Sequence, residues 1–149
     1  MKIGRDAVQN NLQVDSIKEL FEALSAPLLE NNYVRPEFAE NVYQRELQFP
    51  TGIPTSSIGV AMPHTDAIHV IENAISIGVL KQPVSFKMMG NPEEEVQVQL
   101  VFLLALNQAE KHLSILQKLM SVFRNEKVLQ SMLASDKEEL YHIVNELFQ

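Results

Sequence analysis

Residues 96–106 read Val96-Gln97-Val98-Gln99-Leu100-Val101-Phe102-Leu103-Leu104-Ala105-Leu106. A run this nearly continuous in apolar residues predicts a central β-strand with both faces covered. Its Leu100 to Leu106 part is the longest apolar run, far short of the roughly 20 residues a membrane span needs. Outward from it, Ala74 to Leu80 predicts a second strand, rich in β-branched residues, with Pro83 beyond it. Ile58-Gly59-Val60-Ala61-Met62 predicts a short third strand, ended by Pro63 because a residue before proline prefers an extended backbone. A weaker pattern at Val8 to Val14 allows a first strand. Glu93-Glu94-Glu95 reads as a solvated turn before the central strand, and Phe49 to Ser57, with two prolines and a glycine, reads as loop.

Helices flank these strands. Ser16 and Glu19 form a capping-box signal ahead of Ile17, Leu20, Phe21, Leu24 and Leu28, which recur at helical spacing. Pro27 implies a kink or an early end. A second helix starts at Pro36, turns Phe38, Val42 and Tyr43 inward and runs to about Glu46. In the last third, Leu113, Leu116, Leu119, Met120 and Phe123 form one stripe, and a short turn or helix follows at Lys127 to Leu133. Ser135 and Glu138 then signal a final helix with Leu140, Ile143, Val144, Leu147 and Phe148 on its apolar face. Layer rules turn this pattern into a three-layer α/β/α sandwich, a small mixed sheet with helices on both faces. The sequence does not give the strand order.

The chain has 149 residues, which predicts one domain spanning 1–149. Hydrophobic residues make up 46% and charged residues 21%, a globular composition. There is no cysteine, which excludes disulfides, thiolate metal sites and cysteine nucleophiles within the chain. The 12 Lys and Arg against 19 Asp and Glu leave a net charge of -7, a poor match for nucleic-acid backbone. The start, MKIGRDAVQNNLQV, lacks the apolar core of a signal peptide, so a cytoplasmic location is expected, with no insertion into a membrane.

The chemistry centres on the histidines. His64 lies just past a strand, in Ala61-Met62-Pro63-His64-Thr65-Asp66, where Pro63 stiffens the backbone. Asp66 could orient a ring nitrogen of His64 or favour its protonated form. Thr65 and the hydroxyls of Thr55 to Ser57 could donate to an anion. The alternative is a structural histidine closing a strand end. His112 falls where a helix begins after the central strand, and helix N-termini attract anions. Sites in α/β sheets collect at the carboxyl ends of strands, so His64 and His112 could meet across neighbouring strands. Arg45, in Arg45-Glu46, could bind a phosphoryl group through its fork, or could be half of a solvated helix-end pair. His64, Asp66 and His69 together leave open a metal-dependent hydrolase. His69 reads otherwise as a loop residue, and His142 as an exposed residue of the last helix. Phosphate-binding glycine loops and a Gly-x-Ser-x-Gly elbow are absent.

The stretch Gly52 to Lys81, GIPTSSIGVAMPHTDAIHVIENAISIGVLK, resembles the signature of the sugar phosphotransferase system (PTS) IIA domains of the fructose–mannitol class. The likeness rests on Ala61-Met62-Pro63-His64, on Val79-Leu80-Lys81, and further on Leu103-Leu104-Ala105-Leu106 and His112-Leu113-x-x-Leu116. It covers nearly the whole chain, and length together with Pro-His-Thr-Asp resembles the galactitol-specific members most. Thr65 stands where the family more often has glycine, and the Pro/Gly loop before His64 is a few residues longer than in the mannitol type.

The resemblance implies that His64 accepts a phosphoryl group from the phosphocarrier HPr and passes it to a cysteine on a IIB protein, which works with a IIC permease. It implies that His112 helps bind the phosphoryl group and that Arg45 compensates its charge. It gives Asp66 no firm equivalent, so contact with the second His64 nitrogen or nearby backbone remains the expectation for it. The implied relay needs no cofactor and no metal. Two protein partners must reach the site in turn, so it should be shallow and rimmed by apolar residues such as Met62, Ile68 and Phe49. A regulatory IIA-like protein of the nitrogen-related branch shares the same motif and is the competing reading.

Overall fold

The computed structural model describes residues 1–149. Five strands form one mixed sheet: β1 (Val8–Leu12), β2 (Gly52–Pro54), β3 (Gly59–Ala61), β4 (Ala74–Met88) and β5 (Asn91–Ala105). β5 runs antiparallel to β4 and parallel to β3. β1 lies parallel to β4 on its other side, and β2 pairs antiparallel with β3. Gly52 of β2 also bridges to Met88 at the far end of β4.

Side chains alternate across β5, as a strand's period of two requires. Leu100, Phe102 and Leu104 enter one core, with α3 (Ala109–Phe123), α4 (Glu126–Ala134) and α5 (Lys137–Phe148). Val101, Leu103 and Ala105 enter the other, with α1 (Ile17–Glu30) and α2 (Phe38–Gln48). The expected sandwich, a central sheet covered by helices on both faces, is the fold found. Phe102 anchors the first core, its ring centroid 5.8 Å from Phe123 and 6.2 Å from Phe148. No helix is long and apolar enough to cross a membrane.

Several elements depart from the sequence expectations. α1 runs through Pro27 to Glu30 without ending early. The proline removes the amide that would bond the carbonyl of Ala23, and Gln9 Nε2 donates to that carbonyl instead at 3.0 Å. α2 starts at Phe38, two residues after Pro36, which lies in the turn before it. The presumed loop from Phe49 contains β2, which pairs with β3 through a turn where Thr55 Oγ1 accepts from Ile58 N at 3.1 Å. β4 continues past Pro83 to Met88, with the ladder out of register between Val79 and Val84, where the proline costs no pairing.

Glu93 to Glu95 belong to β5, in an exposed arm of the hairpin. Gly90 turns that hairpin at φ 79°, a conformation open to glycine. On α3 the buried residues are Ile115, Leu119, Val122 and Phe123, while Leu113 is exposed. Two neighbouring apolar stripes share that helix, and the sheet covers the one containing Ile115. Asp136, one residue after Ser135, caps α5 by accepting from Glu139 N at 2.8 Å.

Candidate functional site

The backbone past β3 stays on the sheet. Pro63 O accepts from Leu104 N at 3.0 Å, and His64 forms a parallel bridge with Leu104. The histidine therefore stands at the carboxyl end of β3, beside the end of β5. α3 follows β5 after Leu106, Asn107 and Gln108, and its fourth residue is His112. Two adjacent strand ends thus bring residues 48 positions apart in the chain into one cleft, with ring centroids 5.1 Å apart at 70°.

The cleft has a volume of about 270 Å³ and is open to solvent; Arg45, His64, Thr65, Asp66, Gln108 and His112 line it. His64 is half-buried, and its Nδ1 lies 2.9 Å from Met62 O. A carbonyl only accepts, so Nδ1 carries the proton and Nε2 keeps its lone pair. Burial holds the His64 pKa below the ordinary histidine value, and Arg45 and His112 push the same way. The bond to Met62 and the charge of Asp66 oppose them. The neutral ring is thereby favoured, which suits a nitrogen nucleophile.

Arg45 reaches the cleft from the last turn of α2. Its Nη1 lies 3.5 Å from Asp66 Oδ1, and its guanidinium carbon lies 5.1 Å from the Phe49 ring centroid. The Nε atom is buried and makes no hydrogen bond. At the cleft's other wall, no side chain caps the first turn of α3. The open first-turn amides and the helix dipole add positive potential there. A cation, two imidazoles and a helix N-terminus gathered around one cleft can accommodate an incoming anion.

Asp66 does not orient His64. The ring folds back over its own backbone across Pro63, so Met62 O takes Nδ1 and the carboxylate turns to Arg45. Thr65 lines the cleft, but Thr55 Oγ1 is used in its own turn, and Thr55 and Ser57 border a separate hollow. His69 Nδ1 lies 2.9 Å from Glu37 Oε2, away from His64. No group of three His, Asp or Glu side chains is arranged to hold a metal, so the hydrolase reading loses its ligand set. His142 is exposed and pairs with Glu138 at 3.3 Å. Of the three expected rim residues, Ile68 and Phe49 are exposed at 73% and 59%, whereas Met62 is buried in the first core.

Two features escaped the sequence reading. Glu46 is not a solvated helix-end residue. It is buried, and its carboxylate accepts from Thr51 N at 2.7 Å and Thr51 Oγ1 at 2.8 Å. Burial pushes its pKa up to about 7 despite the two bonds. Its position after Val42 by one helical turn was the available signal. The stretch Leu106 to Ala109 forms a cleft wall, and Asn107 N donates to Asn73 Oδ1 at 2.8 Å. Its place between strand and helix was the only indication.

Comparison with known proteins adds a second line. The family model described as "Phosphoenolpyruvate-dependent sugar phosphotransferase system, EIIA 2" matches residues 1–147. The galactitol-specific EIIA component of Escherichia coli (strain K12) is 23% identical over 133 residues, 89% of this chain and 88% of that protein. The transcriptional regulator ManR of Bacillus subtilis (strain 168) is 33% identical over 93 residues, 62% of this chain but 13% of its own length. In fold, the crystal structure of IIA mannitol from Escherichia coli matches with a TM-score of 0.75 at 20% identity, covering 100% of both chains. The nitrogen regulatory protein IIA-Ntr from Neisseria meningitidis matches with a TM-score of 0.74 at 25% identity, covering 95% of each.

Proposed function

The chain belongs to the EIIA 2 family of the phosphoenolpyruvate-dependent sugar phosphotransferase system, and from that membership we propose that it relays a phosphoryl group on His64. The donor is the phosphocarrier HPr and the recipient a cysteine of a IIB protein that serves a IIC permease. The work is done in the cytoplasm by residues 1–149 as one unit. A hexitol is the sugar proposed, galactitol first, because the galactitol component is matched along nearly its whole length.

One observation carries the reading: the Met62 carbonyl holds Nδ1 of His64 as N–H, which leaves Nε2 as the nucleophile. In the acceptance step the N–P bond of a ring-protonated phosphohistidine donor breaks as the bond from phosphorus to Nε2 forms. The donor leaves as a neutral imidazole. The positive charge passes to the His64 ring, whose Nδ1–H stays on Met62 O. Arg45, His112 and the first-turn amides of α3 offset the negative charge on the phosphoryl oxygens. Most of the catalysis is then positioning of groups already in place.

The test is transfer from labelled phospho-HPr. The wild-type protein should take up label in acid-labile, base-stable form. His64→Ala should take up none, and His112→Ala should fold normally and accept label about tenfold more slowly, the equivalent of about 1.4 kcal/mol in the barrier. Normal labelling of His64→Ala would remove His64 from the assignment. A regulatory role remains the second reading, favoured by the likeness to part of ManR. A phosphorylation-dependent binding partner, with no transfer to any IIB protein, would establish it instead.

A further inference from the structure

We propose that Asp66 is a positioning residue that competes with the phosphoryl group for Arg45 and so keeps phosphorylated His64 a ready donor; this rests on the phosphohistidine reading above. Four observations lead there. Asp66 and Arg45 line the same cleft as His64. The Asp66 carboxylate is the one acid paired with Arg45, at 3.5 Å. The Arg45 Nε makes no hydrogen bond, and the Phe49 ring, 5.1 Å from the guanidinium carbon, offers it no acceptor oxygen. The His64 ring is already oriented by Met62, so Asp66 is not needed for that task.

A phosphoryl group on Nε2 brings negative charge into a cleft that already holds a carboxylate. Arg45 would meet the phosphoryl oxygens while its Nη1 lies toward Asp66, so carboxylate and phosphoryl group share one guanidinium, and the carboxylate also repels those oxygens. Both effects raise the free energy of the phosphorylated form relative to the free form. A carrier must give up its group as easily as it receives it, and an acid at this position serves that need. The Asp66 side chain is 77% exposed, so solvent screens the effect and keeps it moderate.

The measurement is the equilibrium ratio of phosphorylated to free protein against the phospho-HPr/HPr couple, at low salt. Docking strength and overall stability cancel from this ratio, because it compares two forms of one folded protein. Asp66→Asn should raise the ratio about threefold to tenfold, with the gain shrinking at high salt. Asp66→Glu should stay within about twofold of wild type. In an Arg45→Gln background the Asp66→Asn gain should shrink, because no cation remains to be exchanged. An unchanged or lowered ratio in Asp66→Asn would overturn the proposal, as would a gain undiminished by Arg45→Gln. Failure of the wild-type protein to accept any label would instead sink the phosphohistidine reading on which the proposal stands.

Discussion

The Nδ1 atom of His64 sits 2.9 Å from the carbonyl oxygen of Met62, two residues back along its own chain. The proline between them makes this contact durable, since Pro63 has a fixed φ and its carbonyl is bonded to β5. One backbone oxygen thus selects the tautomer, and the His64 ring needs no acidic orienter.

The lowered pKa of His64 has a pH signature. The folded protein prefers the neutral ring, so the unfolded chain binds more protons between the folded value and the ordinary value of about 6.5. Stability therefore rises with pH across that window, and the penalty is full below the folded value. Urea unfolding of wild type and His64→Gln should show this slope in the difference between them, because the Glu46 contribution is common to both. An NMR titration of His64 above the ordinary histidine value would contradict it.

Glu46 acts in the opposite sense. Its folded pKa of about 7 lies above the ordinary 4.5, so the folded protein favours the protonated acid. Its contribution to stability is greatest below about pH 4.5 and is lost as pH rises through 7. Glu46→Gln removes that slope. Relative to wild type, the variant should gain up to about 2–3 kcal/mol between pH 5 and pH 8, an upper bound from the size of the shift. Unfolding midpoints at the two pH values check it.

Gln9→Leu should strand the Ala23 carbonyl that Pro27 leaves without an amide. The expected loss is about 1–2 kcal/mol, with α1 fraying at its last turn. The double variant Gln9→Leu/Pro27→Ala restores the amide and should recover most of it. Thermal unfolding of the three proteins decides.

Phe49 and Ile68 stand exposed, the first against Arg45 and the second two positions after Asp66 in the chain. Phe49→Glu or Ile68→Glu should raise the apparent KM for phospho-HPr about tenfold with little change in melting temperature, if these side chains meet the carrier. Steady-state transfer assays with both variants measure this.

Much of this was readable from residues alone. The Leu100 to Leu106 run, whose side chains feed both cores, marked the central strand correctly, and the Pro-His segment after a short strand marked one side of the cleft. The misreadings share a cause: local pattern is silent about distant partners. Pro27 sits in a helix because Gln9, 18 positions earlier, replaces the lost bond. Glu93 to Glu95 form a strand because their partner arm is β4, not because they are apolar. Glu46 is buried because Thr51 supplies two donors across a turn. Asp66 faces Arg45 for a similar reason, since Met62 had already occupied the ring nitrogen it was expected to hold.

The Leu104 amide that bonds Pro63 ties His64 to the buried carboxyl end of β5. Local fraying cannot loosen His64 without parting it from that strand. Its deuterium exchange should therefore be among the slowest in the protein, and heat should abolish phosphoryl acceptance and tertiary structure in a single step.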